Sequence, residues 1–147
     1  MKTLITLTFY LLPFFSFGQA LDIASMISQI DSLVKVARTL TDQKQYDAAL
    51  RMIESAEKKA NESLGNNHPA VASCIFNHGR VFQNMGNPVK GIEYYRKAKM
   101  VWEGMPLATS YPEYTSCLLN LANLYSEQGY LEDAEPLYLN VKSIRQV

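Results

Sequence analysis

The sequence predicts an all-α protein, a right-handed α-solenoid of about three helix-turn-helix units behind a short N-terminal leader. Three observations carry this reading. Segments recur at a fixed spacing, apolar residues follow a helical period inside each segment, and glycine or proline marks each reversal. The series His68-Pro69, Asn77, Gly86 and Tyr95 is echoed 43 residues later by Tyr111-Pro112, Asn120, Gly129 and Tyr138. Ser73 and Ser116, Cys74 and Cys117, and Phe82 and Tyr125 keep the same offset. A period between about 20 and 50 residues marks a stacked array, because one small unit cannot bury its own apolar face.

The elements follow in order. Met1-Lys2 supplies one positive charge, and Thr3 to Phe17 is uncharged and rich in Leu, Ile, Phe and Tyr. Ser16-Phe17-Gly18-Gln19-Ala20 then places small residues at alternate positions. This is the order of a secretory signal peptide cleaved after Gly18 or Ala20. The alternative is an uncleaved membrane anchor, since the uncharged stretch to Leu21 is near the minimum for a span. Either way residues 1–20 are set apart from a folded array over 21–147.

Within the array, Leu118, Leu121, Ala122 and Tyr125 fall at i, i+3, i+4 and i+7, as do Ala134, Leu137, Tyr138 and Val141, giving two amphipathic stripes. Gly129 lies between them, where the chain must reverse. In the middle unit Gly86-Asn87-Pro88 marks the same turn, with Asn87 as N-cap and Pro88 at the first helical position. Pro69 and Pro112 open helices in the same way, whereas Pro136 costs its helix one hydrogen bond. A weaker upstream copy aligns Lys44 to Ala49 with Gly129 to Ala134, and Leu33, Val36, Ala37 and Leu40 with Leu118, Leu121, Ala122 and Tyr125. Helices are therefore expected over about 23–41, 45–63, 69–85, 88–103, 112–128 and 131–145, in units of about 23–66, 67–109 and 110–147.

Composition narrows the function. The chain has 147 residues, 14 basic and 14 acidic side chains, 48% hydrophobic residues and two cysteines. That is a folded chain with room for one domain. Zero net charge argues against nucleic-acid binding, which needs a basic surface to displace counterions. Removing the leader takes Lys2 with it and leaves a net charge of about −1. No phosphate loop, nucleophile elbow or pair of catalytic carboxylates is present. Cys74 and His78 stand four residues apart, with His68 nearby, which suggests either a metal half-site or a Cys–His dyad. The plainer reading is two small buried thiols and a packing histidine, because neither the further metal ligands nor an orienting third group is visible. A Cys74–Cys117 disulfide needs Cα atoms within about 7 Å. Equivalent places on stacked helices lie about 8–10 Å or more apart.

These residues also carry a family resemblance. Small residues at Ala37, Gly79, Ala122, Ala49, Gly91 and Ala134, with aromatics at Phe82, Tyr95, Tyr125 and Tyr138, resemble tetratricopeptide repeats. Leu64-Gly65-Asn66-Asn67-His68-Pro69, Asn120 to Tyr125 and Glu132 to Tyr138 are similar to the longer kind, of about 42 residues, found in kinesin light chains and many bacterial proteins. The resemblance covers nearly all of residues 21–147, and the leader and repeat style look bacterial. His78 departs from the pattern, standing where a large apolar residue such as Leu121 is expected.

The resemblance implies a non-catalytic scaffold without cofactor or metal, whose concave face binds a protein or peptide segment. Projected onto this sequence, that face takes Lys35 and Arg38 from the first unit. The second unit adds Ser73, Phe76, Asn77, Arg80 and Asn84, and the third Ser116, Leu119, Asn120, Asn123 and Glu127. Asn77 and Asn120 resemble the asparagine ladder that grips a peptide backbone, since an amide both donates and accepts. Lys35, Arg38 and Arg80 could attract an acidic group. The same residues would serve equally as ordinary polar surface or as inter-unit hydrogen bonds. An exported chain would work in the periplasm or outside the cell. The last helix ends without a polar cap, which allows self-association. It also allows a second reading, a docking or sensing arm of a longer protein, since comparable arrays precede sensor-kinase or caspase-like protease domains.

Overall fold

The computed structural model describes residues 12–146. Six α-helices follow one another: α1 (Leu12–Asp42), α2 (Tyr46–Leu64), α3 (Pro69–Asn84), α4 (Pro88–Glu103), α5 (Pro112–Glu127) and α6 (Leu131–Ile144). They pair as α1 with α2, α3 with α4 and α5 with α6, and successive pairs stack through α2 on α3 and α4 on α5. The first helices also touch one another, α1 with α3 and α3 with α5, and so form one layer of the array. This is the expected all-α solenoid of three helix-turn-helix units.

Five of the six helices lie within about two residues of their expected bounds. Helix α1 begins earlier, at Leu12 instead of 23. The only strong breaker in that stretch is Pro13, and it falls in the first turn, where its missing N–H has no intrahelical partner to lose. The leader expectation rests on residues 1–11, which lie outside the described residues, and on 12–20, which continue α1. The first buried residue of α1 from Ala20 onward is Ile30. A short 3₁₀ turn at Ala108–Ser110, entered from Leu107 at φ 61°, joins α4 to α5 and was not expected. Helix α6 runs through Pro136.

Side-chain caps open α3 and α4. The His68 imidazole Nδ1 accepts from the Ala70 N–H at 3.2 Å, and Asn87 Oδ1 accepts from the Lys90 N–H at 3.1 Å. The turn inside each unit uses one device three times. Gly86 N–H reaches Gln83 O and Asn87 N–H reaches Phe82 O, at 3.0 and 2.9 Å; Gly129 and Tyr130 repeat this on Ser126 and Tyr125. Lys44 and Gln45 repeat it on Thr41 and Leu40. The left-handed residue is Gly86 (φ 74°) and Gly129 (φ 82°) in two units, but Lys44 (φ 60°) in the first. A side chain there costs about 1 kcal/mol or more. Lys44→Gly is therefore expected to raise stability by about 1 kcal/mol, read from the urea midpoint.

The core forms two adjoining clusters. Ile30, Val34, Ala37, Ile53, Ala56 and Cys74 fill the junction of the first two units. Phe76, Tyr95, Trp102, Tyr114, Leu118 and Leu121 fill that of the second and third. All six small positions, Ala37, Ala49, Gly79, Gly91, Ala122 and Ala134, are buried. Both cysteines are free and fully buried. Burial, first of all, pushes both thiols up to about 12, so they remain protonated and inert. Cys117 Sγ donates to the Tyr95 carbonyl at 3.2 Å.

His78 does more than pack. Its Nε2 lies 3.0 Å from Glu57 Oε2 on α2, and its ring stacks on Tyr94 of α4 with centroids 4.9 Å apart. The side chain therefore ties the first unit to both helices of the second. Its Nδ1 is buried and has no hydrogen-bond partner among the described residues.

Candidate functional site

The layer formed by α1, α3 and α5 carries two adjoining cavities. The larger, about 490 Å³, is bounded by Asp31, Lys35 and Arg38 of α1, by His68 and Ser73 around α3, and by Glu113 of α5. Ile27, Val34, Pro69 and Ala70 supply its apolar part. The smaller, about 240 Å³, is lined by Arg38, Phe76, Arg80, Glu113, Ser116 and Asn120. The two share Arg38 and Glu113, whose guanidinium and carboxylate form an ion pair.

Helical spacing brings these groups together. Asp31, Lys35 and Arg38 fall at i, i+4 and i+7 on α1, and Ser73, Asn77 and Arg80 repeat that spacing on α3, so each set shares one face. Asn77 sits between the two arginines. Its Oδ1 accepts from Arg38 Nε at 3.0 Å and from Arg80 Nη1 at 3.4 Å, while its Nδ2 donates to Ser73 O at 2.8 Å. Arg38 then reaches over α3 to Glu113, so one network crosses all three units. Both ends of the Arg38–Glu113 pair are more than a third exposed, so the pair itself contributes little to stability. Its value is positional, since it holds a cation and an anion side by side at the middle of the cleft.

The projected residues divide. Lys35, Arg38, Ser73, Phe76, Arg80, Ser116 and Asn120 line the cavities. Asn77 lies beneath them, 1% exposed, with its amide committed to the arginines and Ser73. The two asparagines expected to form a ladder are thus unequal: Asn77 braces the site from below, and Asn120 faces the cavity while its Nδ2 donates to Tyr95 Oη at 3.3 Å. Asn84, Asn123, Leu119 and Glu127 border neither cavity. Asn84 donates to Arg80 O at 2.8 Å, and Asn123 accepts from Tyr138 Oη at 2.8 Å. Leu119 packs against the second core cluster, and Glu127 is exposed near the end of α5.

Sequence reading missed the acids. Asp31 and Glu113 sit in the cleft with the expected cations, Asp31 on the same face of α1 as Lys35 and Arg38, so its charge is mixed. Glu113 lies in the first turn of α5, where an acid is expected for the helix dipole alone. Nothing in the sequence links it to Arg38, 75 residues away.

His68 lies at the rim of the larger cavity, and burial holds its imidazole below the ordinary 6.5. The unfolded chain therefore binds this proton more readily than the folded one. The contribution to stability is full above about pH 6.5 and fades as pH falls through the lowered folded value. Thermal stability is expected to drop over that acid range, and to drop less in His68→Asn, which keeps a cap acceptor. Melting curves of both proteins from pH 7.5 downward check this.

Among the described residues, no three His, Cys, Asp or Glu side chains gather as a metal site, and no helix is long and apolar enough to cross a membrane.

The comparisons with known proteins agree with this architecture. Solved structures match at 17–19% identity. A Podosopora anserina protein described as a kinesin light chain with nearly identical TPR-like repeats aligns at 19% identity and TM-score 0.69, over 82% of this chain and 56% of that one. BtubC (BKLC) from P. vanneervenii aligns at 17% identity and TM-score 0.72, over 80% and 46%. The chain thus spans about half the length of the solved proteins it matches. No curated protein matches the sequence. Tetratricopeptide arrays generally mediate protein–protein interaction and are generally non-catalytic. Sequence profiles described as tetratricopeptide repeat match residues 28–103 and 115–147, and the chain belongs to the tetratricopeptide repeat family.

Proposed function

We propose that this protein is a non-catalytic scaffold that binds a peptide or protein segment in the cleft across α1, α3 and α5. The observation that carries this reading is the pair of adjoining cavities, about 490 and 240 Å³, joined at Arg38–Glu113 and lined by all three units. An extended segment would lay an acidic group against Lys35 or Arg80, place apolar side chains over Val34 and Phe76, and meet the Asn120 amide. Binding is tested with a random peptide library on the purified protein. Ser116→Trp fills the smaller cavity from an exposed position and is expected to lower the affinity of selected peptides by about tenfold or more. Val89→Trp, on an exposed position outside both cavities, is expected to leave it unchanged. Equal binding by the wild type and Ser116→Trp would remove the cleft as the site.

The same reading places the work in the periplasm or outside the cell, after removal of residues 1–18 or 1–20. What supports it is the charged start, apolar middle and small-residue end of the leader. Mass spectrometry of the cell-derived protein should find Gln19 or Leu21 at its N-terminus; an intact Met1 or Lys2 in exported material counts against cleavage. A second reading, a docking arm of a longer protein, is favoured by the partial span of the matched structures. Sequencing the transcript past codon 147 decides between them.

A further inference from the structure

Helix α6 is acidic at its start, with Glu132, Asp133 and Glu135, and basic at its end, with Lys142 and Arg145. That order suits the helix dipole. It also makes the helix complementary to itself when reversed. Glu135, Tyr138, Lys142 and Arg145 fall at i, i+3, i+7 and i+10, with Glu132 and Leu139 beside them, so the six share one broad face. All six are exposed. Among the described residues, none of the four charged groups on this face has an ion-pair partner within the chain.

The repeat shows what this face replaces. Positions equivalent to Glu135 are Leu50 and Ile92, and those equivalent to Arg145 are Ala60 and Trp102, all packed into the two core clusters. Tyr95, the counterpart of Tyr138, is fully buried, whereas Tyr138 is 37% exposed. At Glu135 and Arg145 the face that the first two units turn toward a following helix has thus become charged, while Glu132 and Leu139, whose counterparts Asp47, Val89, Glu54 and Arg96 are exposed, flank it. A fourth apolar helix would strand Glu135 and Arg145, but a reversed copy of α6 satisfies both.

We propose that α6 binds a second copy of this chain, the two helices packing antiparallel about a two-fold axis between Tyr138 and Leu139. In that register Glu135 faces Lys142 of the second copy, Glu132 faces Arg145 of the second copy, and Tyr138 meets Leu139. Symmetry doubles every pair, as in any isologous interface. A parallel arrangement sets like charges against each other and is excluded. A 14-residue helix is about 21 Å long, so the interface is small and the dimer reversible.

Sedimentation of the full chain from about 10 µM to 1 mM tests this. The wild type should dimerise with rising concentration, and less so in high salt. Lys142→Glu/Arg145→Glu should weaken dimerisation by about tenfold or more, as should Glu132→Lys/Glu135→Lys. Mixing the two variants should restore a heterodimer at least as tight as the wild-type dimer. That rescue separates a broken interface from a broken fold, and circular dichroism confirms that each variant is helical. A wild type that stays monomeric, a dimer indifferent to either reversal, or a mixture that fails to pair would each overturn the proposal.

Discussion

Trp102→Ala is expected to lower stability by about 3–5 kcal/mol, out of the roughly 5–15 kcal/mol that holds a domain of this size. Trp102 is 1% exposed and forms the hub of the junction between the second and third units. Its ring meets Phe76 edge-on at 6.0 Å and Tyr114 at 6.1 Å, so one residue joins α3, α4 and α5. Truncation removes most of that contact and leaves a cavity that three helices cannot close without moving. A repeat array is held by unit-to-unit interfaces, so the loss falls on the coupling of the third unit. Urea unfolding followed by circular dichroism is the appropriate measurement, because the chain has a single tryptophan and the variant has none. Trp102→Phe keeps an aromatic ring and should lose clearly less. A drop below about 1 kcal/mol for the alanine variant would show that the junction repacks freely.

Gly79→Ala is expected to destabilise by about 1–3 kcal/mol. In an ordinary helix interior the same change is favourable by about 0.5–1 kcal/mol. Here a Cβ on Gly79 would lie 2.6 Å from Cδ1 and Cε1 of Tyr95. The Tyr95 ring cannot step aside cheaply: it is fully buried, its hydroxyl donates to Gln83 Oε1 at 2.6 Å, and the same oxygen accepts from Asn120 Nδ2. Burial pushes the Tyr95 phenol above its ordinary 10.0, so it keeps the proton it donates. Gly91→Ala provides the contrast. Its Cβ would crowd one Leu124 methyl, at 2.9 Å, the far end of a side chain that a rotamer change can move, and would meet Gln83 N and Gly79 O at an ordinary 3.6 Å. Gly79→Ala should therefore shift the urea midpoint further than Gly91→Ala. The reverse order would mean that Tyr95 yields more easily than its hydrogen bonds suggest.

Much of the fold is legible in the residues. The 43-residue offset and the apolar stripes place five helices closely, because periodicity and capping are local properties. Glycine at the reversals is equally local, and the one unit without it still makes the same turn on Lys44, since its two backbone hydrogen bonds are intact. The start of α1 is less legible, because absence of a breaker does not say how far a helix runs. The site is legible in part. Helical spacing finds Lys35, Arg38, Arg80 and Asn120, since facing one layer follows from position on the helix. It does not distinguish Asn77, which braces, from Asn120, which faces the cavity, because that depends on which arginines lie above each.

His78 shows the same limit. Read as a departure from an apolar stripe, it has no evident partner; the stacking of α2 on α3 supplies Glu57, and the pairing of α3 with α4 supplies Tyr94. The sequence by itself determined the helices, the repeat, the small positions where helices approach and the neutral composition. Those features depend on residues within one turn or one unit of each other. The tertiary structure alone decided the pairing of Arg38 with Glu113, the burial of Asn77 and the unequal cavities. Those features join side chains from different units, and their contacts are set by how the units stack.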